Sequence, residues 1–174
     1  MKLIRILPVL IFFGLAGFFW RGLDLDPHQL PTPKIGKALP RFDLPLLVGL
    51  KTQHFRSDLF RNHYTVLVVW ARWCETCRDE QEFLLTLARQ AQISLYGLNY
   101  KDDPAQARRW LADWGNPFQV IGLDKDGTFA LELGVYGTPE TYLIDKQGLI
   151  MHRYAGALTA EVWRKEFLPL LSLA

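Results

Sequence analysis

The run "HYTVLVVW", residues 63–70, is the stretch that most constrains how this 174-residue chain can fold. It is β-branched and aromatic without polar alternation, so the strand it forms must be covered on both faces. A strand of that kind belongs inside a sheet with helices on each side. Both cysteines of the chain follow at once in "ARWCETC", as Cys74 and Cys77. From about Glu75 to Ala91 the pattern becomes helical, with Phe83, Leu84, Leu87, Ala88 and Ala91 on one stripe.

The remaining elements fit the same plan. "RFDLPLL" and the stretch near Phe55 suggest an N-terminal edge hairpin, and Pro45 confines its first strand to an edge. "ISLYGLNY", 93–100, is a second buried strand. Asp103 before Pro104 supplies a helix cap and first-turn proline, for a helix running to Trp114 and stopping at Gly115. A short strand near Gln119–Ile121, a helix over Thr128–Leu133 and a strand over Thr141–Ile144 come next. "DKQG" then turns the chain into "LIMHRYAG". Thr159 caps a closing helix with Val162, Trp163, Phe167 and Leu170 on one side. The order predicts a three-layer α/β/α sandwich of thioredoxin type.

Composition narrows the function. Without Lys2, Arg5 and Arg21 around the first apolar run, 17 basic residues face 18 acidic ones, which leaves no electrostatic footprint for nucleic acid. Two cysteines are too few for a disulfide-stapled scaffold. No second cysteine pair accompanies them and His28, His54, His63 and His152 are scattered, so no structural metal is expected. A redox pair is the remaining use.

The N-terminus sets the compartment. "MKLIRILPVLIFFGLAGFFWR" carries Lys2 and Arg5 and then no charge from Ile6 to Trp20. With Leu3 and Ile4 counted and Arg5 snorkelling, the run nears the ~20 residues that a transmembrane helix needs. The one small-residue cleavage candidate, "GLA" at 14–16, lies inside the run, so residues 1–21 are expected to be an uncleaved signal anchor, with a cleaved signal peptide as the alternative. The positive-inside rule puts Lys2 and Arg5 in the cytoplasm and the rest outside, in the periplasm. Residues 22–40, with four prolines, are expected to be a linker, and residues 41–174 the sandwich domain. Thiols exported from the cytosol enter a space where disulfides persist.

The spacing assigns roles. Cys74 falls at a helix N-terminus, where unpaired N–H groups favour a thiolate, and is expected to be the nucleophile. Cys77, one turn inward, is the resolving thiol. Glu80 shares a face with Cys77 and falls on the apolar stripe, apart from Asp79 and Glu82. There it could accept the Cys77 proton, or else be an ordinary solvated first-turn glutamate. Glu75 between the cysteines opposes thiolate formation, partly offset by Arg72 and Arg78, which favours a reductant.

"WARWCETC", "GLNYKDD", "GVYGTPETYLID" and "YAGALTAEVW" together resemble the membrane-anchored thiol:disulfide interchange proteins of cytochrome c maturation, the DsbE or CcmG family. The resemblance implies a redox pair at Cys74 and Cys77 and an acidic partner at Glu80. It also implies a cis bond at Thr138–Pro139 that frees the Thr138 main chain for an extended peptide. Partner contacts are implied at Trp73, Tyr136, Thr138, Pro139 and Glu140. Asp145 matches a further acidic position, or simply begins the "DKQG" turn. Glu75 departs from the family, whose members often carry proline or an apolar residue there. The implied activity is reduction of a disulfide on apocytochrome c or its carrier, with electrons from a membrane thiol transporter of the DsbD or CcdA type and no cofactor. A general periplasmic disulfide reductase, a peroxiredoxin-like peroxidase and a redox-inert docking module are the alternatives. Ala71 stands where the peroxidase would want threonine.

Overall fold

A computed structural model describes residues 2–23, 34–48, 54–90 and 93–172. The chain divides into two compact units, Met1–Leu30 and Pro31–Ala174. In the first, α1 (Lys2–Leu23) is a helix containing Pro8. Its side chains from Leu7 to Arg21 are all exposed. Among the described residues no helix is long and apolar enough to cross a membrane, which differs from the span expected over residues 1–21.

The second unit is built on one seven-stranded sheet. Its strands are β1 (Asp43–Val48), β2 (His54–Arg56), β3 (Thr65–Trp70), β4 (Ser94–Tyr100), β5 (Val120–Asp124), β6 (Glu140–Ile144) and β7 (Ile150–Ala155). Their order across the sheet is β2-β1-β5-β4-β3-β6-β7. β3 lies parallel to β4 and antiparallel to β6, and every residue in it is buried. Its side chains alternate between two cores. Val66, Val68 and Trp70 meet Leu84 and Leu87 of α3 (Gln81–Ala88), Ala107 and Leu111 of α4 (Pro104–Trp114), and the C-terminal helical segment. Leu67 and Val69 face Phe129, Ala130 and Leu133 of α5 (Thr128–Leu133) on the other side. Period-2 alternation in a strand buried on both faces thus makes the three layers.

The hairpin of β1 and β2 forms as expected, but β1 is not the edge: it also pairs with β5. Pro45 is tolerated because the two halves of β1 have different partners. Residues 43–45 pair with β2 and the β5 ladder begins only at Leu46, so the missing N–H meets a single neighbour. The α4 boundaries match the cap signal, with Asp103 Oδ1 accepting the Gln106 N–H at 2.8 Å.

Two helices differ from expectation. The single helix expected over 75–91 is broken into α2 (Glu75–Asp79) and α3. At the junction Glu80 has ψ near −14° and its N–H turns to the Arg78 carbonyl, a tightened turn. The break brings both Glu80 and Gln81 inward and leaves Ala88 exposed; Ala91 lies outside the described residues. The closing helix starts at the expected Thr159 cap, whose Oγ1 accepts the Val162 N–H at 3.2 Å. It runs through α6 (Ala160–Val162), a π-helical turn over Trp163–Phe167 and α7 (Leu168–Ser172). Most of the expected linker lies outside the described residues. Its end joins the domain, with the Gly36 N–H on Ile150 O (2.8 Å), the Leu39 N–H on Gly148 O (2.9 Å), and Leu39 buried.

Candidate active site

β3 ends at Trp70 and the chain turns through residues 71–73, the Cys74 N–H closing the turn on Ala71 O at 3.2 Å. Cys74 is the extended residue that caps α2, and its Sγ accepts the Cys77 N–H at 3.1 Å. A sulfur in that position takes one of the orphan donors at the helix start, which stabilises negative charge on it. The two cysteines are joined in a disulfide. Cys74 is 7% exposed and Cys77 2%, so Cys74 is the less enclosed of the two.

The loop carrying Cys74 is fastened from the neighbouring strand. Asp102, just beyond β4, accepts the Arg72 N–H at 2.7 Å and the Asn99 amide at 3.1 Å through Oδ2. Its Oδ1 accepts the Asp103 N–H at 2.8 Å and lies 3.2 Å from Arg72 Nε. Arg72 is therefore paired with a buried carboxylate and does not offset Glu75 as expected from sequence. The Trp73 indole N–H donates to Lys101 O at 3.1 Å, which fixes the ring while leaving the residue 52% exposed. Asp102 had no assigned role in the sequence reading. The signal was its place in "NYKDD" directly after a buried strand, where a loop must find partners for its N–H groups.

Glu80 is buried at 1% exposure on the same inward face as Cys77. Its Oε2 accepts the Leu158 N–H at 2.8 Å, and Oε1 has no partner among the described residues. Burial pushes its carboxyl up to about 8, against the smaller opposing pull of the Leu158 N–H. A carboxyl poised there exchanges its proton near neutral pH, which suits the general-base role and excludes the solvated alternative.

The second half of the site arrives on β6. Val69 pairs with Glu140, so the register brings Pro139 level with Trp70, at the sheet end from which the cysteine loop leaves. The Thr138–Pro139 bond is cis. Pro139 O accepts the Gly156 N–H at 2.9 Å, two residues before the Leu158 that reaches Glu80. Among the described residues none hydrogen-bonds the Thr138 main chain, and Thr138 is half-buried. Tyr136 is 68% exposed beside it. Cys74, Cys77 and Glu80 are thus gathered at one end of the sheet with the Thr138–Pro139 segment.

Glu140 differs from the expected partner contact. It is 1% exposed, and its carboxylate accepts from the Tyr136 and Gly137 N–H groups, the Tyr142 hydroxyl and the Arg153 guanidinium. No face of it is left for a partner. Asp145 is likewise committed to its own turn, with Oδ1 accepting the Gln147 and Leu149 N–H groups at 2.8 Å each.

Residues 34–167 match the family model described as Redoxin. Thiol:disulfide interchange protein DsbE of Pseudomonas aeruginosa is 46% identical, over 97% of this chain and 93% of that protein. The DsbE of Escherichia coli K12 is 40% identical, over 96% and 92%. Among solved structures, a putative thiol:disulfide interchange protein DsbE from Chlorobium tepidum shares the fold, with TM-score 0.69 at 24% identity, covering 80% of this chain and 98% of that one. A buried cysteine pair at the start of a helix, beside a buried acid, in a chain so closely matched along its length, identifies a thiol-disulfide oxidoreductase of the redoxin family and, within it, of the DsbE thiol:disulfide interchange proteins.

Proposed function

We propose that the protein is a membrane-anchored periplasmic reductant that opens the disulfide of an apocytochrome c, or of its carrier, before haem attachment. The observation that carries the reading is the pairing of Cys74, the less enclosed cysteine, with an unoccupied Thr138 main chain at the same end of the sheet. An extended peptide bearing a disulfide can add there as a further strand. The Thr138 main chain would receive its backbone, with Pro139, Trp73 and Tyr136 beside it.

In the dithiol form the Cys74 thiolate attacks one sulfur of the partner's disulfide, and the partner's other sulfur leaves as a thiolate and takes a proton. Glu80 then accepts the Cys77 proton. The Cys77 thiolate attacks Cys74, the second partner thiol leaves, and the Cys74–Cys77 disulfide remains. Two electrons have moved to the partner. A dithiol donor of the DsbD or CcdA type returns them, and α1 keeps the domain where such a membrane donor can reach it.

A Cys77→Ser variant of the full chain stalls this sequence at the mixed disulfide. Mass spectrometry of complexes recovered from cell membranes should find an apocytochrome or a maturation protein on Cys74. Capture of unrelated exported proteins instead would make the chain a general disulfide reductase.

A further inference from the structure

The cluster of Glu140, Tyr142 and Arg153 lies outside the sulfur exchange. Tyr142 on β6 and Arg153 on β7 stand opposite each other in the ladder. Glu140 Oε1 accepts the Tyr136 N–H at 2.7 Å, the Gly137 N–H at 3.2 Å and Arg153 Nη2 at 2.8 Å. Oε2 accepts the Tyr142 hydroxyl at 2.7 Å and Arg153 Nε at 2.9 Å. The side chains of Glu140 and Arg153 are each 2% exposed. Apolar packing of equal volume would commonly stabilise a core as well as such a pair does, so the fold alone does not call for it.

What the pair does is local. Tyr136 and Gly137 belong to no strand or helix, and their N–H groups end on one oxygen of a carboxylate that Arg153 grips with two parallel bonds. The Arg153 guanidinium also lies 5.0 Å from the centre of the Tyr136 ring. A single residue on β7 thereby holds both the main chain and the side chain of the segment that leads into Thr138. We propose that Arg153 is a positioning residue for partner recognition: acting through Glu140, it fixes residues 136–138 so that the Thr138 main chain is presented to an extended peptide. This rests on the peptide-binding reading above. It also explains why an acid expected to touch the partner is instead entirely enclosed.

The test compares two electron acceptors or donors of different size on the full chain. Oxidised insulin and an oxidised C-x-x-C-H peptide need the peptide strand, whereas dithiothreitol reaches the disulfide without it. Arg153→Lys keeps the charge but not the two-pronged grip, and should raise KM for both peptide substrates about tenfold, the weight of one charge-assisted bond. Its kcat, its reaction with dithiothreitol and its equilibrium with glutathione should stay within about twofold. Tyr142→Phe removes one of the five donors and should give a smaller KM rise of the same kind, and it serves if Arg153→Lys does not fold. Unchanged KM in the folded variants overturns the proposal, as does a parallel fall in the dithiothreitol rate. A wild-type chain that reduces no peptide disulfide would instead refute the peptide-binding reading itself.

Discussion

Glu80 and Glu140 are both 1% exposed, and the molecule treats them in opposite ways. Glu140 has five hydrogen-bond donors, two of them from one cation that holds it two-pronged. Burial first, and then the charge and hydrogen bond of Glu140, push the Tyr142 hydroxyl well above the usual phenol range, so it stays a donor. Glu80 has one backbone N–H, one bare oxygen and a carboxyl raised to about 8. A carboxylate surrounded by donors is a fixed part of the scaffold. One that burial leaves under-served is ready to take and give a proton. The same residue type, buried to the same degree, is thus saturated with donors in one place and left with a bare oxygen in the other.

The comparison breaks most visibly if the cation is taken away. Arg153→Met leaves the Glu140 carboxylate buried without its counter-charge and should cost about 3–5 kcal/mol of stability in chemical denaturation. A loss under about 1 kcal/mol would mean that the guanidinium is not the counter-charge that holds Glu140. Replacing Glu140 by Leu as well should recover part of the loss while leaving the Tyr136 and Gly137 N–H groups without their acceptor.

Glu80 should show the reverse. Its folded carboxyl titrates near 8 and its unfolded one near 4.5, so between these values the native state holds a proton that the unfolded state has released. Stability of the oxidised protein should therefore fall as pH rises through that window, and level off above about pH 8. In Glu80→Gln the slope disappears, and the variant should exceed wild type by about 5 kcal/mol at pH 9 and match it near pH 4. Parallel denaturation curves for the two proteins across this range would remove the raised carboxyl from the account. The same variant should slow the release of a mixed disulfide by Cys77 about 100-fold and erase an inflection near pH 8 in its rate. Stopped-flow measurement on a preformed mixed disulfide separates this step from partner binding.

Much of this architecture is legible in local signals. The Asp103–Pro104 cap and Gly115 stop delimit α4 to the residue, the Cys-x-x-Cys follows its buried strand, and counting back from Leu84 already sends Glu80 inward. What escapes such a reading is pairing across the sheet. Arg72 meets Asp102 because β3 and β4 run side by side, and Arg153 meets Glu140 only through the β6–β7 ladder. Spacing along the chain carries neither fact, so one arginine was assigned to the wrong acid and the other to nothing. The break at Glu80 escaped because the residues that mark the apolar stripe, Phe83, Leu84 and Leu87, all lie beyond it.

Glu75 is the third acid of the site and sharpens the contrast from the solvent side. It lies between the cysteines, and in sequence its charge opposes a thiolate on Cys74. In space its side chain is 86% exposed, with Arg78 Nη2 at 3.7 Å. Arg78 in turn sits 5.8 Å over the Trp114 ring, so the compensating charge is held nearby. A solvated, partly paired charge acts weakly on a neighbour. Glu75→Gln should therefore move the thiol–disulfide equilibrium with glutathione toward the dithiol by less than about threefold, and less still at high salt. A shift beyond about tenfold would show the carboxylate acting directly on the Cys74 sulfur, and exposure would then no longer separate the acid that matters from the one that does not.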